Sequence, residues 1–193
     1  AKAMYYYAIS CEKGDGIPEN LRKAGRYYKM AADKDDIRSM LIYSSMRLNG
    51  EGLEINKYEA SIYFKRAADR GSTIGMFNYA KMLQYGQGIA INNQEACRYY
   101  KMAADGGHID AMKTYGLLLK KGEGVAVDKR NACKYLRMAA DRGDNTAQFN
   151  YGLMLENGDG VEKNEFMASR YYKMAAENGN DLGMYNYGRM LRY

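Results

Sequence analysis

A 36-residue period runs without interruption through this chain and restricts its fold more than any other feature. A Gly-x-Gly triplet begins at Gly14, Gly50, Gly86, Gly122 and Gly158. An Ala-Ala-acid triplet begins at Ala31, Ala67, Ala103, Ala139 and Ala175. A lone alanine recurs at Ala24, Ala60, Ala96, Ala132 and Ala168, and a tyrosine at Tyr7, Tyr43, Tyr79, Tyr115, Tyr151 and Tyr187. Four columns in one register do not arise by chance, and no insertion shifts them.

Each period reads as two helices. Met76, Tyr79, Ala80 and Leu83 fall at i, i+3, i+4 and i+7, one face of a first helix. The glycine that follows can take the left-handed conformation of a helix stop. Asn20, Asn56, Asn92, Asp128 and Asn164 begin second helices as N-caps, and Asn56 with Glu59 and Asn92 with Glu95 resemble capping boxes. Gly71, Gly107, Gly143 and Gly179 end the second helices, with Asp35 in their place in the first repeat. One apolar residue plugs each intervening turn: Ile17, Leu53, Ile89, Val125 or Val161. A single Pro against 21 Gly suits many helices joined by short glycine turns. First helices are expected near 2–13, 38–49, 74–85, 110–121, 146–157 and 182–192. Second helices are expected near 20–34, 56–70, 92–106, 128–142 and 164–178.

Such a helix pair cannot bury its apolar face alone, but stacked neighbours can. The expected fold is therefore all-α: a right-handed α-solenoid, a superhelix of stacked 36-residue helix-turn-helix repeats with eleven helices. It forms one array over 1–193, five two-helix units and one extra first helix, read as a fragment of a longer protein. The column Ala8, Ser44, Ala80, Gly116, Gly152 and Gly188 is small throughout. Glycine inside a helix costs roughly 1 kcal/mol against alanine, so its recurrence implies close packing.

Composition excludes several classes. No apolar run approaches the ~20 residues that span a bilayer. Cys11, Cys97 and Cys133 are too few for a disulfide framework and favour a reducing, intracellular compartment. Cys97 and Cys133 share a slot held elsewhere by Gly25, Ser61 and Ser169, which wants small side chains. The formal charge of +6 permits acidic partners without requiring nucleic acid.

The stretch "AQFNYGLMLENGDGVEKNEFMASRYYKMAAENG", Ala147 to Gly179, resembles the Sel-one-like repeat family, a relative of the tetratricopeptide repeat. The resemblance covers the whole chain. One departure is consistent: Tyr151 stands in the family's Leu slot and Leu155 in its Tyr slot. Met154, Met190 and other methionines fill remaining core positions. The resemblance implies a superhelical scaffold or adaptor for protein–protein interaction, not an enzyme.

Other motifs carry less. Gly-x-Gly lacks the third glycine and preceding strand of a phosphate loop. Ser10-Cys11-Glu12-Lys13 matches the Ser-x-x-Lys of penicillin-recognising hydrolases, a remote alternative without its partner motifs. His108 is the only histidine, so no metal set assembles and no cofactor is expected. Lys29, Lys65, Lys101, Arg137 and Lys173 form a basic ladder on the second helices, and Arg26, Arg98, Lys134 and Arg170 a second one. Asp33, Asp69, Asp105, Asp141 and Glu177, four residues after the first ladder, partly neutralise it. These ladders carry the alternative reading, binding of nucleic acid or an acidic surface, but no base code repeats.

The tetratricopeptide resemblance also implies a partner-binding groove lined by first helices. Its fifth helical position is Tyr5, Leu41, Phe77, Lys113, Phe149 and Tyr185, mostly apolar yet outside the core columns. Lys81, Lys120 and Arg189 supply positive charge. Lys2, Lys13, Arg38, Lys113, Lys121 and Arg192 join them, against Glu12, Asp110 and Glu156, an excess that equals the +6 of the chain. The expected partner is a protein segment, acidic or apolar-anchored, lying in the groove.

Overall fold

The structure is a computed structural model that describes residues 1–192, and among these residues it is helical with no strand. It divides into two compact units, Ala1–Tyr99 and Tyr100–Tyr193. The first unit holds α1 (Lys2–Lys13), α2 (Leu21–Ala32), α3 (Ile37–Asn49), α4 (Lys57–Asp69), α5 (Thr73–Tyr85) and the start of α6 (Asn93–Asp105). The second holds the end of α6, then α7 (Ile109–Lys121), α8 (Lys129–Ala140), α9 (Asn145–Asn157), α10 (Glu165–Glu177) and α11 (Asp181–Met190). All eleven expected helices are present, each end within a few residues of its expected place.

Local chemistry sets the ends. The side chains of Asn20, Asn56, Asp128 and Asn164 accept the backbone N–H three residues on, and Asn92 does the same from Glu95 at 3.0 Å. The first helices have caps too: Asp36, Ser72, His108, Asp144 and Asn180. Asp35, standing where the other repeats carry glycine, takes the left-handed conformation at φ 65°. The capping-box expectation fails at Glu59, whose carboxylate turns to Lys29 and Arg47 instead of back to Asn56.

Within each repeat the two helices meet through tyrosines. Tyr43–Tyr63, Tyr79–Tyr99, Tyr115–Tyr135 and Tyr151–Tyr171 pack edge to face with ring centroids 4.6–4.9 Å apart. Such pairs add about 0.5–1.5 kcal/mol to their area burial. The small column explains itself where it is packed: a Cβ on Gly116 would lie 2.8 Å from Leu136 Cγ, and one on Gly152 2.8 Å from Tyr172 Cε1. Gly188 has open space there, so close packing does not account for it. Gly25 is small because Leu53, the plug of the next turn, sits on it: a Cβ there would come 2.7 Å from Leu53 Cδ1.

The outermost repeats depart from the core columns. Tyr7 is 36% exposed where Tyr43 is 4%, and Met184 is 57% exposed where Met40 is fully buried. Ser10 is half-buried, unlike Met46, Met82, Leu118 and Met154 in its column. Tyr151 and Leu155, the swapped pair, are both buried.

Candidate functional site

The first helices present a stripe beside their buried face. In α5, Tyr79 and Ala80 point into the core, and Phe77, two residues earlier, stays half-buried at its margin. In the first unit Tyr5, Leu41 and Phe77 all take this half-buried position. The Tyr5 ring packs on Tyr28 with centroids 6.1 Å apart, and the Arg38 guanidinium lies 4.2 Å from its centre. Lys81, one turn after Phe77, is exposed with Nζ 5.8 Å from the Phe77 ring centre. Beside Leu41 lies an open groove of about 320 Å³, lined by Leu41, Ile42, Ser45 and Ile74, with the carboxylates of Glu12 and Glu51 also in its wall.

In the second unit Phe149 is half-buried against Tyr172, ring centroids 5.9 Å apart, and Tyr185 is 71% exposed. Lys120 is half-buried. The other two cations are engaged. Lys113 Nζ lies 2.9 Å from Asp110 and 2.7 Å from Asp144, the carboxylate that also caps α9. Burial alone would lower the Lys113 pKa, but Asp144 and Asp110 hold it above the usual lysine value. Arg189 pairs with Glu156, which also accepts from the Tyr172 hydroxyl at 2.6 Å. Lys121 meets Glu123 at 3.5 Å and Arg38 meets Asp36 at 3.6 Å. Asp36, Glu123 and Asp144 were absent from the charge balance drawn from the sequence, so the stripe is less positive than that balance.

The second-helix ladder is matched. Lys65, Lys101, Arg137 and Lys173 each meet the acid four residues on, at 2.6–3.7 Å. Lys29 departs: it reaches Glu59 and the Tyr63 hydroxyl, each at 2.9 Å, rather than Asp33. The acids serve twice. Tyr63 donates to Asp33, Tyr135 to Asp105 and Tyr171 to Asp141 at 2.5–2.7 Å, each bond joining one repeat to the next. A ladder whose charges are paired this way is a poor match to a polyanion, and the nucleic-acid reading is not favoured; the second ladder, Arg26, Arg98, Lys134 and Arg170, takes no part in these pairs.

Arg47 is the polar residue that sequence reasoning overlooked. Its column otherwise reads Cys11, Leu83, Leu119 and Leu155, all buried, and the exposed Leu191. An arginine in that register was the available signal. Its side chain is 16% exposed, with Nε 2.7 Å from Glu59 Oε2, and Nη1 donates to the Glu54 carbonyl at 2.5 Å. Burial would raise the Glu59 pKa, but Lys29, the Tyr43 hydroxyl and Arg47 hold it below the ordinary carboxylate value.

The remaining sequence candidates have structural roles. His108 caps α7, its Nδ1 accepting from Ala111 N–H at 3.3 Å. Cys11, Cys97 and Cys133 are buried thiols, and burial pushes the Cys133 pKa up. Ser10 sits mid-way along the last turns of α1, its carbonyl accepting from Gly14 N–H at 3.0 Å.

Solved structures share this architecture. A protective antigen present in uropathogenic Escherichia coli strains, displaying an SLR fold, superposes with TM-score 0.94 at 25% identity, over 98% of this chain and 41% of its own. A Sel1 repeat protein from Oxalobacter formigenes gives 0.83 at 26% identity, over 96% of this chain and 74% of its own. An immunity protein from Pseudomonas aeruginosa shares the fold at TM-score 0.54 and 20% identity, over 95% of this chain and 67% of its own. This chain thus spans 41% of the length of the Escherichia coli antigen. No curated protein matches it in sequence. The Sel1 repeat profile matches residues 1–36, 37–72, 73–108, 109–144 and 145–180, so the chain belongs to the Sel1 repeat family of helical solenoids.

Proposed function

We propose that this chain is a protein-interaction scaffold whose first-helix stripe takes an apolar-anchored, acidic segment of a partner. Sel1 repeat proteins are in general interaction scaffolds built from helical repeats, not enzymes. The observation that carries the finer reading is the half-burial of Leu41, Phe77 and Phe149. They are anchored well enough to be rigid, yet open enough to be touched. Aromatic side chains of this kind contribute heavily to binding energy because they lose little entropy on contact. In the first unit, the groove beside Leu41 accepts the apolar anchor, and the exposed Lys81 meets the acid. Glu12 and Glu51 in that groove discriminate against a carboxylate entering there. The partner therefore places its acid beside Phe77 and Lys81, outside that groove.

A pull-down with the intact chain followed by mass spectrometry identifies the partner, and Phe77→Ala/Lys81→Glu tests the stripe. Affinity is expected to fall on the order of a hundredfold, from one lost hot spot and one reversed charge. Unchanged affinity at low salt, in a variant with native circular dichroism, would place the interaction elsewhere.

A further inference from the structure

Arg47 also lines an open cavity of about 510 Å³ in the first unit, together with Arg22, Arg26, Gly52, Leu53 and Glu54. That volume is in the range of small-molecule sites, roughly 300–1,000 Å³. Arg22 and Arg26 stand one turn apart on α2, both exposed. They take no part in the ion pairs among the described residues, whereas Lys65, Lys101, Arg137 and Lys173 each have an acid. Glu59 is occupied by Lys29 and by Arg47 itself. Glu54 is then the one carboxylate in the cavity wall set against three guanidiniums.

Retaining an arginine in a leucine column sacrifices apolar packing. The ion pair with Glu59 does not explain it, because the third repeat keeps Glu95 in the equivalent place beside Leu83. We propose that the cavity is a binding site for an organic oxyanion, a carboxylate or a phosphate monoester on a carbon skeleton. Guanidinium groups bind both through paired, parallel N–H donors, which Arg22 and Arg26 can present; Arg47, whose Nε and Nη1 meet Glu59 and the Glu54 carbonyl, adds its charge and Nη2. Leu53 offers an apolar wall for the skeleton. The cavity is distinct from the first-helix stripe and does not depend on it.

The test follows arginine Nε–Hε resonances of the intact chain during titration with phenyl phosphate and, separately, benzoate, at constant ionic strength. Saturable shifts at Arg22, Arg26 and Arg47 are expected. Tighter binding of phenyl phosphate assigns the site to a phosphate, and equal or tighter binding of benzoate to a carboxylate. Arg47→Leu restores the residue type found at Leu83 and Leu119, so it folds. Its affinity falls on the order of tenfold, the loss of a charge-assisted hydrogen bond. Arg22→Ala/Arg26→Ala falls further, Glu54→Gln binds more tightly, and Arg98→Ala, outside the cavity, is unchanged. The proposal is overturned if neither ligand saturates the wild type, or if Arg47→Leu and Arg22→Ala/Arg26→Ala bind as the wild type does.

Discussion

His108 closes the first turn of α7 only while Nδ1 is unprotonated, because an N–H there cannot accept from Ala111. Burial lowers its pKa below 6.5, with Asp110 pulling weakly the other way. A base depressed in the fold contributes stability that is complete above pH ~6.5 and lost as pH falls through the folded value. Urea unfolding followed from pH 7.5 to 5 should therefore lose about 1 kcal/mol, the worth of a cap. His108→Asn keeps the cap and should remove that increment; a persisting loss would assign it to another group. Tyr135 does two jobs, its ring against Tyr115 and its hydroxyl on Asp105. Burial and the Asp105 carboxylate hold its phenol well above the ordinary value. Tyr135→Phe keeps the ring pair and should cost about 1.5–3 kcal/mol in chemical denaturation, the range for a bond to a charged group. A loss near zero would mean that water replaces the hydroxyl without penalty.

At the scale of the helix, the small column offers an internal contrast. Gly116→Ala would drive a Cβ to 2.8 Å from Leu136 Cγ and 3.2 Å from the Ala132 carbonyl, so α7 and α8 must move apart. The expected loss is about 1–3 kcal/mol, the usual cost of overpacking. Gly188→Ala meets nothing within 4 Å and should gain about 0.5–1 kcal/mol from helix propensity alone. Thermal melts of the two variants should move in opposite directions; movement in the same direction would show that propensity, not space, governs this column. The caps belong to this scale as well. An Asn or Asp bonding to the N–H three residues on involves no distant partner, and for that reason the second-helix starts were legible from spacing alone.

For the whole molecule, the unbroken period predicts tolerance to loss of a complete repeat. Excising residues 145–180, one matched repeat, joins Asp144 to Asp181 in the register that Asn145 held. The shortened chain should keep its helical content per residue and unfold at a lower midpoint, since repeat stabilities add along the array. Excising half a repeat, 145–162, removes α9 and sets two second helices, α8 and α10, in succession, and should abolish cooperative unfolding. Circular dichroism melts of the two deletions decide this; equal behaviour would mean that the repeat is not the stability unit.

The period, the number of helices, their ends and their buried columns followed from the sequence. Each depends on contacts within one repeat, or on an average that recurs five times. Tertiary structure decided which partner each long side chain selects. Lys29 bypasses Asp33, four residues away, for Glu59, thirty residues away, and Lys113 reaches Asp144 across 31 residues. Tyr171 likewise bonds Asp141 in the preceding repeat. Such choices turn on ångström distances between helices of neighbouring repeats, and spacing along the chain does not encode them. The same limit applied to burial: Tyr7 and Gly188 share columns with core residues, yet how much of each is covered depends on the neighbours packed against it. Periodicity can identify a position, but only packing determines whether that position is filled, paired or open.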